Sequence, residues 1–352
     1  MDLQLLRETL AAWDEPAFRA KQVWRWAAAG APSYEEMTDL PAALRERLAR
    51  KVPFSCLRLE REAKARDGTV KALFATADSR PLEAVMMRYR GHAGRTGGGR
   101  RSVCLSSQSG CPLTCRFCAT GAMRFARNLT SSEILDQALH FRRIEEIDHC
   151  VFMGMGEPML NLDAVLAACE RLPAIGITHR RTTISTVGWI PGIEALAACD
   201  MPLRLALSLH APEDALRSEL MPVNERYPLT EVIDAARAFY AHTGSGTSKR
   251  RRVFVEYVML AGVNDRYEQA LALARLLAPE GDSSGAFKVN LIPYNPTGSE
   301  FRGSGRASIE AFRAALAGAG VPVTVRLTRG RDIDAACGQL AASAAGAPAP
   351  AV

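Results

Sequence analysis

Three cysteines stand within eight residues, Cys111-Pro112-Leu113-Thr114-Cys115-Arg116-Phe117-Cys118, in the spacing C-x₃-C-x₂-C. Nine cysteines scattered over 352 residues would rarely fall so by chance. Thiolate is the metal-ligating form of cysteine. A structural zinc site takes four protein ligands, usually as two short pairs. Here the local set ends at three, and no histidine lies nearby. A cluster of four irons normally takes four cysteines. Three would leave one iron open, which suits a cluster that binds a small molecule. A cluster, a zinc site and three unrelated buried thiols remain as readings of the stretch alone.

The elements around it decide where such a site must lie. From residue 101 onward, apolar and β-branched runs alternate with helical stretches. The runs are Ser102–Ser106, Cys150–Met153, Thr182–Ser185, Leu203–Leu209, Val253–Leu260, Phe287–Ile292 and Val321–Leu327, with helices over Leu229–His242 and Tyr267–Leu277 among those between. Repeated β-α units imply a parallel sheet with helices outside it. Seven candidates fall short of an eightfold barrel, so the expected fold is α/β, a partial, six-stranded β/α barrel. Thr130-Ser131-Ser132-Glu133 reads as a capping box opening a helix that runs to about Arg143. In such sheets chemistry gathers at the carboxyl ends of the strands. Those ends carry the cysteine loop, Gly154-Met155-Gly156-Glu157-Pro158, Ser185-Thr186, Ser208-Leu209-His210-Ala211 and Pro293-Tyr294-Asn295-Pro296. Glycine permits close backbone approach to a ligand, and a carboxylate such as Glu157 accepts from an amine or hydroxyl.

Ahead of this core, residues 1–52 read as a small helical accessory domain, with Pro41 opening its third helix. Trp24 and Trp26 read as packing residues. Residues 53–100 read as a connecting segment. Within it Val70–Thr76 and Leu82–Tyr89 form a hairpin about Ala77-Asp78-Ser79-Arg80, before a glycine-rich basic loop over 91–100. Residues 101–340 hold the barrel, and 341–352 form a low-complexity tail expected to be disordered.

Taken together, several motifs in order from Leu3 to Leu340 resemble the RlmN/Cfr family of radical SAM RNA methyltransferases. They include the cysteine triplet, Leu105-Ser106-Ser107-Gln108, Arg127-Asn128-Leu129-Thr130, Gly154 to Pro158, Ser208 to Ala211, Phe254 to Leu260 and the closing segment around Cys337. The resemblance implies a partial barrel and a 4Fe-4S cluster on Cys111, Cys115 and Cys118. It implies S-adenosylmethionine (SAM) bound by Gly156, Glu157, Ser185, Ser208, Leu209, His210 and Asn295, with two molecules used per turnover. In that family a 5′-deoxyadenosyl radical takes hydrogen from a methylated cysteine, whose position here is Cys337, and the resulting carbon radical adds to adenine. Cys104 matches the thiol that then attacks Cys337 through a transient disulfide, and Glu83 matches the proposed proton acceptor. The chain departs from the pattern in a longer segment between Glu83 and Cys104.

The implied reaction is adenine C2 methylation in 23S rRNA and in certain tRNAs, with Cfr-type C8 methylation as the rival within the class. A zinc-stabilised, non-catalytic RNA-binding protein is the rival outside it. C2 is electron-poor and lacks a lone pair, so radical addition suits it better than polar methyl transfer. The expected partners are rRNA, tRNA and an electron donor such as flavodoxin, with no membrane and a monomeric chain. RNA contacts are expected from Arg88, Arg90, Arg100, Arg101 and Lys249-Arg250-Arg251-Arg252. A net charge of +6 permits a polyanionic partner without requiring one. An odd number of cysteines and no signal-peptide pattern argue for a reducing cytoplasm.

Overall fold

The β-prone runs assemble into one mixed sheet of ten strands in a computed structural model, which describes residues 1–89, 99–244, 252–280 and 285–341. Its strands are β1 (Leu57–Lys64), β2 (Val70–Thr76), β3 (Pro81–Tyr89), β4 (Arg100–Cys104), β7 (His149–Phe152), β8 (Thr182–Thr186), β9 (Arg204–Ser208), β10 (Val253–Met259), β11 (Phe287–Pro293) and β12 (Val323–Val325). Two short strands between them, β5 (Gln108–Ser109) and β6 (Arg127–Asn128), pair with each other and brace the base of the cysteine loop. Within the ten-stranded sheet every pairing from β4 onward is parallel and spatial order follows sequence order, whereas β5 and β6 pair antiparallel. β4 and β7–β11 supply the six expected strands; β12 adds a seventh, only three residues long. The sheet is open, with β1 and β12 at its edges.

β1, β2 and β3 extend the sheet antiparallel and join it through β3 and β4. The expected hairpin is β2–β3, its turn eased by Ser79 at φ +58°. β1 went unforeseen because its row Arg58-Leu59-Glu60-Arg61-Glu62 is exposed and charged, without the apolar alternation that marks a strand. The amino-terminal helices α1 (Leu3–Ala12), α2 (Phe18–Ala29) and α3 (Ala42–Lys51) lie where the periodicity puts them. Their buried Leu6, Val23 and Leu48 are continuous with the main hydrophobic core. Trp24 and Trp26 pack partly buried against that core.

The helices that cover the parallel sheet are α4 (Ser131–Ile144), α5 (Leu162–Cys169), α6 (Leu172–Ile175), α7 (Ile190–Ala198), α8 (Asp214–Leu220), α9 (Leu229–Gly244), α10 (Tyr267–Leu277) and α11 (Arg306–Gly318). Thr130 and Glu133 form the expected reciprocal capping box at α4. No helix among the described residues is long and apolar enough to cross a membrane. Most of the glycine-rich loop, Arg90, Lys249-Arg250-Arg251 and the tail from 342 onward lie outside the described residues.

Candidate active site

The carboxyl ends of β7 to β11 surround an open cavity to which Met153, Ser185, Ser208, Val258 and Ile292 contribute. Of the residues expected there, Cys118, Gly156, Glu157, Ser185, Ser208, His210 and Cys337 line it. Leu209, Asn295, Cys111, Cys115, Cys104 and Glu83 are not among its lining residues.

The cysteine loop leaves β5 and folds back under the cavity. Its turn is tied by Cys118 N–H donating to the Cys115 carbonyl at 3.1 Å and Gly121 N–H to the Cys118 carbonyl at 3.0 Å. Burial is the main force raising the Cys115 thiol well above the ordinary range; the neighbouring Cys118 and Cys111 add to it, and the buried Arg217 opposes it. Burial likewise pushes Cys111 up to about 12. Among the described residues no three His, Cys, Asp or Glu side chains are already gathered to hold a single metal ion. The three thiols are nonetheless electrostatic neighbours, and one opens into the cavity. Bound iron would offset the cost of ionising them in this buried place. That donor set fits a cluster with one corner turned to a ligand.

Glu157 is held across two backbones. Its Oε1 accepts from Met159 N–H at 3.2 Å and its Oε2 from Val187 N–H at 3.0 Å. Burial nevertheless lifts its carboxyl to about 7, so a cation arriving in the cavity would hold it ionised. The turn before it requires glycine: Gly156 sits at φ +95°, and a Cβ there would lie 2.5 Å from the Gln108 side chain. Gln108 Oε1 in turn accepts from Glu157 N–H at 2.9 Å. Ser185 and Ser208 face one another with hydroxyls 3.4 Å apart.

His210 occupies the left-handed region at φ +61°. Its Nδ1 accepts from Val258 N–H at 3.0 Å and its ring meets Phe117 edge-on. Burial depresses its pKa to about 3, so it is a neutral imidazole. Leu209 contributes backbone: its N–H donates to the Glu256 carbonyl, and its side chain is core. Asn295 donates through Nδ2 to the Cys337 carbonyl at 3.3 Å, while its buried Oδ1 has no partner among the described residues. An unpaired buried acceptor is costly and suits a ligand N–H.

Cys337 comes from the far end of the chain and is docked by hydrogen bonds. Ala119 N–H donates to the Gly338 carbonyl at 2.8 Å, Thr120 Oγ1 to the Leu340 carbonyl at 2.6 Å and Gln339 Nε2 to the Pro296 carbonyl at 2.9 Å. Docked this way, Cys337 reaches both the main cavity and a small void beneath it that also receives Cys104. Burial, then the neighbouring Cys337, pushes the Cys104 thiol up to about 12. All nine cysteines are free thiols, so the expected Cys104–Cys337 disulfide is not formed in this structure. Glu83 lines neither space. Its carboxylate pairs with Lys71 Nζ at 2.9 Å and accepts from Ala341 N–H at 3.1 Å, clasping the end of the Cys337 segment.

Two buried charges, Arg217 and Glu256, and the partly buried Arg326 were missed by sequence reading. Arg217 on α8 is fully buried and donates to the carbonyls of Leu209 and Val187 and to Asn224 Oδ1. Glu256 on β10 and Arg326 after β12 form an ion pair at 3.1 Å in the cavity wall. A charged residue inside an apolar strand run, as in Phe254-Val255-Glu256-Tyr257, was the available signal.

The model of the radical SAM superfamily matches residues 105–274, and that of the ribosomal RNA large subunit methyltransferase N-terminal domain matches residues 1–53. A probable dual-specificity RNA methyltransferase RlmN of Chloroflexus aurantiacus is 45% identical, covering 97% of this chain and 91% of its own. The protein of that name from Gemmatimonas aurantiaca is 48% identical over 96% of this chain and 90% of its own. A crystal structure of a radical SAM methyltransferase from Sphaerobacter thermophilus superposes with a TM-score of 0.87 at 41% identity, covering 97% of this chain and 98% of that one. The chain therefore belongs to the RlmN family of radical SAM RNA methyltransferases.

Proposed function

We propose that this enzyme methylates C2 of an adenosine in 23S rRNA and of an adenosine beside the anticodon of certain tRNAs, carrying the methyl group on Cys337. The observation that carries the reading is the placement of Cys337: one side chain borders both the strand-end cavity with Cys118 and Glu157 and the void with Cys104. When bound, the cluster and SAM supply the radical that makes a methyl group reactive enough to join an electron-poor ring carbon. Cys111, Cys115 and Cys118 would hold the cluster. Glu157, Gly156, Ser185, Ser208 and the backbone at Leu209 and His210 would position SAM, with Asn295 Oδ1 accepting from its base. The Cys104 thiol then releases the product by attacking Cys337. Glu83 fits the role of proton acceptor only after its pairing with Lys71 and Ala341 opens, so it acts here first as a clasp.

The target base must leave its stack to reach Cys337, which favours loops of structured RNA. A soluble, cytoplasmic monomer served by a small electron donor such as flavodoxin completes the reading. Mass mapping of rRNA from a strain that lacks the enzyme, before and after complementation, tests it. We expect 2-methyladenosine to return; 8-methyladenosine, or no change, contradicts the assignment.

A further inference from the structure

The two thiols outside the cluster loop meet in a void walled by Val85, Met87, Val151, Met153 and Leu340. Among the described residues lining that void, Arg326 is the one charged side chain. It also lines the main cavity, so it stands at the passage between the two spaces. Its position is fixed from both ends. Its backbone N–H donates to the Leu291 carbonyl at 2.8 Å, which continues the pairing of β12 with β11. Its Nη1 lies 3.1 Å from Glu256 Oε2 and 3.5 Å from Met153 Sδ. Glu256 is anchored in turn by Asn290 Nδ2 at 2.9 Å. Both guanidinium contacts use Nη1, leaving Nε and Nη2 without protein partners among the described residues.

We infer that Arg326, braced by Glu256 and Asn290, is the positioning residue that supplies positive charge to the Cys104 and Cys337 sulfurs, so that a thiolate can form at Cys104 and release the RNA product. The inference rests on the assignment of Cys337 as methyl carrier and Cys104 as resolving thiol. In the release step a lone pair of the Cys104 thiolate forms the S–S bond to Cys337. The bond from the Cys337 sulfur to the methylene carbon breaks, and its electron pair leaves with that carbon toward the adenine ring. One proton taken up there completes the methyl group. The step therefore needs a thiolate in a buried apolar void, where the thiol form is strongly favoured. The groups that face Cys104 are Cys337 on the closing segment, Cys150 on β7, the Met153 backbone N–H and Arg326. Of these only Arg326 and the Met153 N–H favour the thiolate.

The test compares wild type with Arg326→Lys, Arg326→Gln and the double variant Arg326→Gln/Glu256→Gln, which avoids stranding a buried carboxylate. Anaerobic turnover on an rRNA-derived oligonucleotide is quenched and run on a denaturing gel, with Cys104→Ala alongside. We expect RNA-linked protein to accumulate in both Gln-containing variants and less in Arg326→Lys. Separately, before cluster loading and without RNA, diamide-driven formation of the Cys104–Cys337 disulfide is followed by peptide mass mapping from pH 7 to 10. The Gln variants should be slower by roughly tenfold at pH 8 and recover toward pH 10, because thiolate fraction limits the rate. A disulfide rate that matches wild type across that range, or free product release in both Gln-containing variants, overturns the role of Arg326. Should a Gln variant be inactive before any adduct forms, the disulfide profile alone decides. Absence of adduct in Cys104→Ala instead overturns the underlying assignment of the thiols.

Discussion

At the scale of single residues, burial rather than charge pairing sets the chemistry. The thiols at Cys111, Cys115 and Cys104 are all raised chiefly by desolvation. Each therefore favours the thiol form. Cys115→Ala would remove one of the three proposed ligands, so anaerobically reconstituted protein should lose most of its iron and visible absorbance; full iron content would reassign the loop. Two buried groups should mark the pH dependence of stability with opposite signs. His210 titrates near 3 folded and near 6.5 unfolded, so its contribution is present above 6.5 and lost as pH falls through that window. Glu157 titrates near 7 folded against an ordinary 4.5, so the folded state holds the extra proton and stability falls as pH rises from 4.5 to 7. Urea midpoints across pH should show His210→Asn flattening the acid limb and Glu157→Gln flattening the decline between pH 4.5 and 7. Unchanged slopes would mean that neither group is buried as described.

At the scale of elements, the strand ends were legible and what holds them was not. The runs at Cys150–Met153 and Leu203–Leu209 announced β7 and β9 by their apolar residues, and Thr182–Ser185 announced β8 by its β-branched Thr182, Thr183 and Ile184. The glycines of Gly154-Met155-Gly156 announced a close approach, but not that the neighbour is Gln108. Long-range partners of this kind carry no local pattern. The same holds for the seat of Cys337, built from Ala119, Thr120, Asn295 and Pro296. Resemblance alone pointed to Cys337. Glu83 shows the limit of that route, since its carboxylate meets Lys71 and Ala341 rather than the cavity. The glycine argument is testable. Gly156→Ala must both adopt φ +95° and displace Gln108, so we expect about 2 kcal/mol of lost stability and weakened SAM binding. Calorimetric melts and titration with SAM check it; a variant of native stability and affinity would show that the turn tolerates a side chain.

At the scale of the whole molecule, the candidate site lies along one end of the sheet, the carboxyl end of its parallel strands. The proposed cluster and cofactor residues sit where β7 to β11 end, while Cys104 closes the parallel neighbour β4 and lines an adjoining void. The carboxyl-terminal segment carries Cys337 across the gap between them. The helical start of the chain shares the core, with Leu6, Val23 and Leu48 packed into the same apolar body as the parallel strands. That continuity was not visible in a sequence that reads as separate segments, because amphipathic periodicity tells which face is buried and not against what. The central claim is the division of labour between Cys337 and Cys104, and trapping tests it most directly. Reconstituted Cys104→Ala, incubated anaerobically with substrate RNA, SAM and reductant, should run on a denaturing gel as a nuclease-sensitive covalent RNA–protein species, and the Cys104→Ala/Cys337→Ala protein should show none. A Cys104→Ala enzyme that turns over freely without an adduct, or an adduct that persists when Cys337 is absent, would contradict the account.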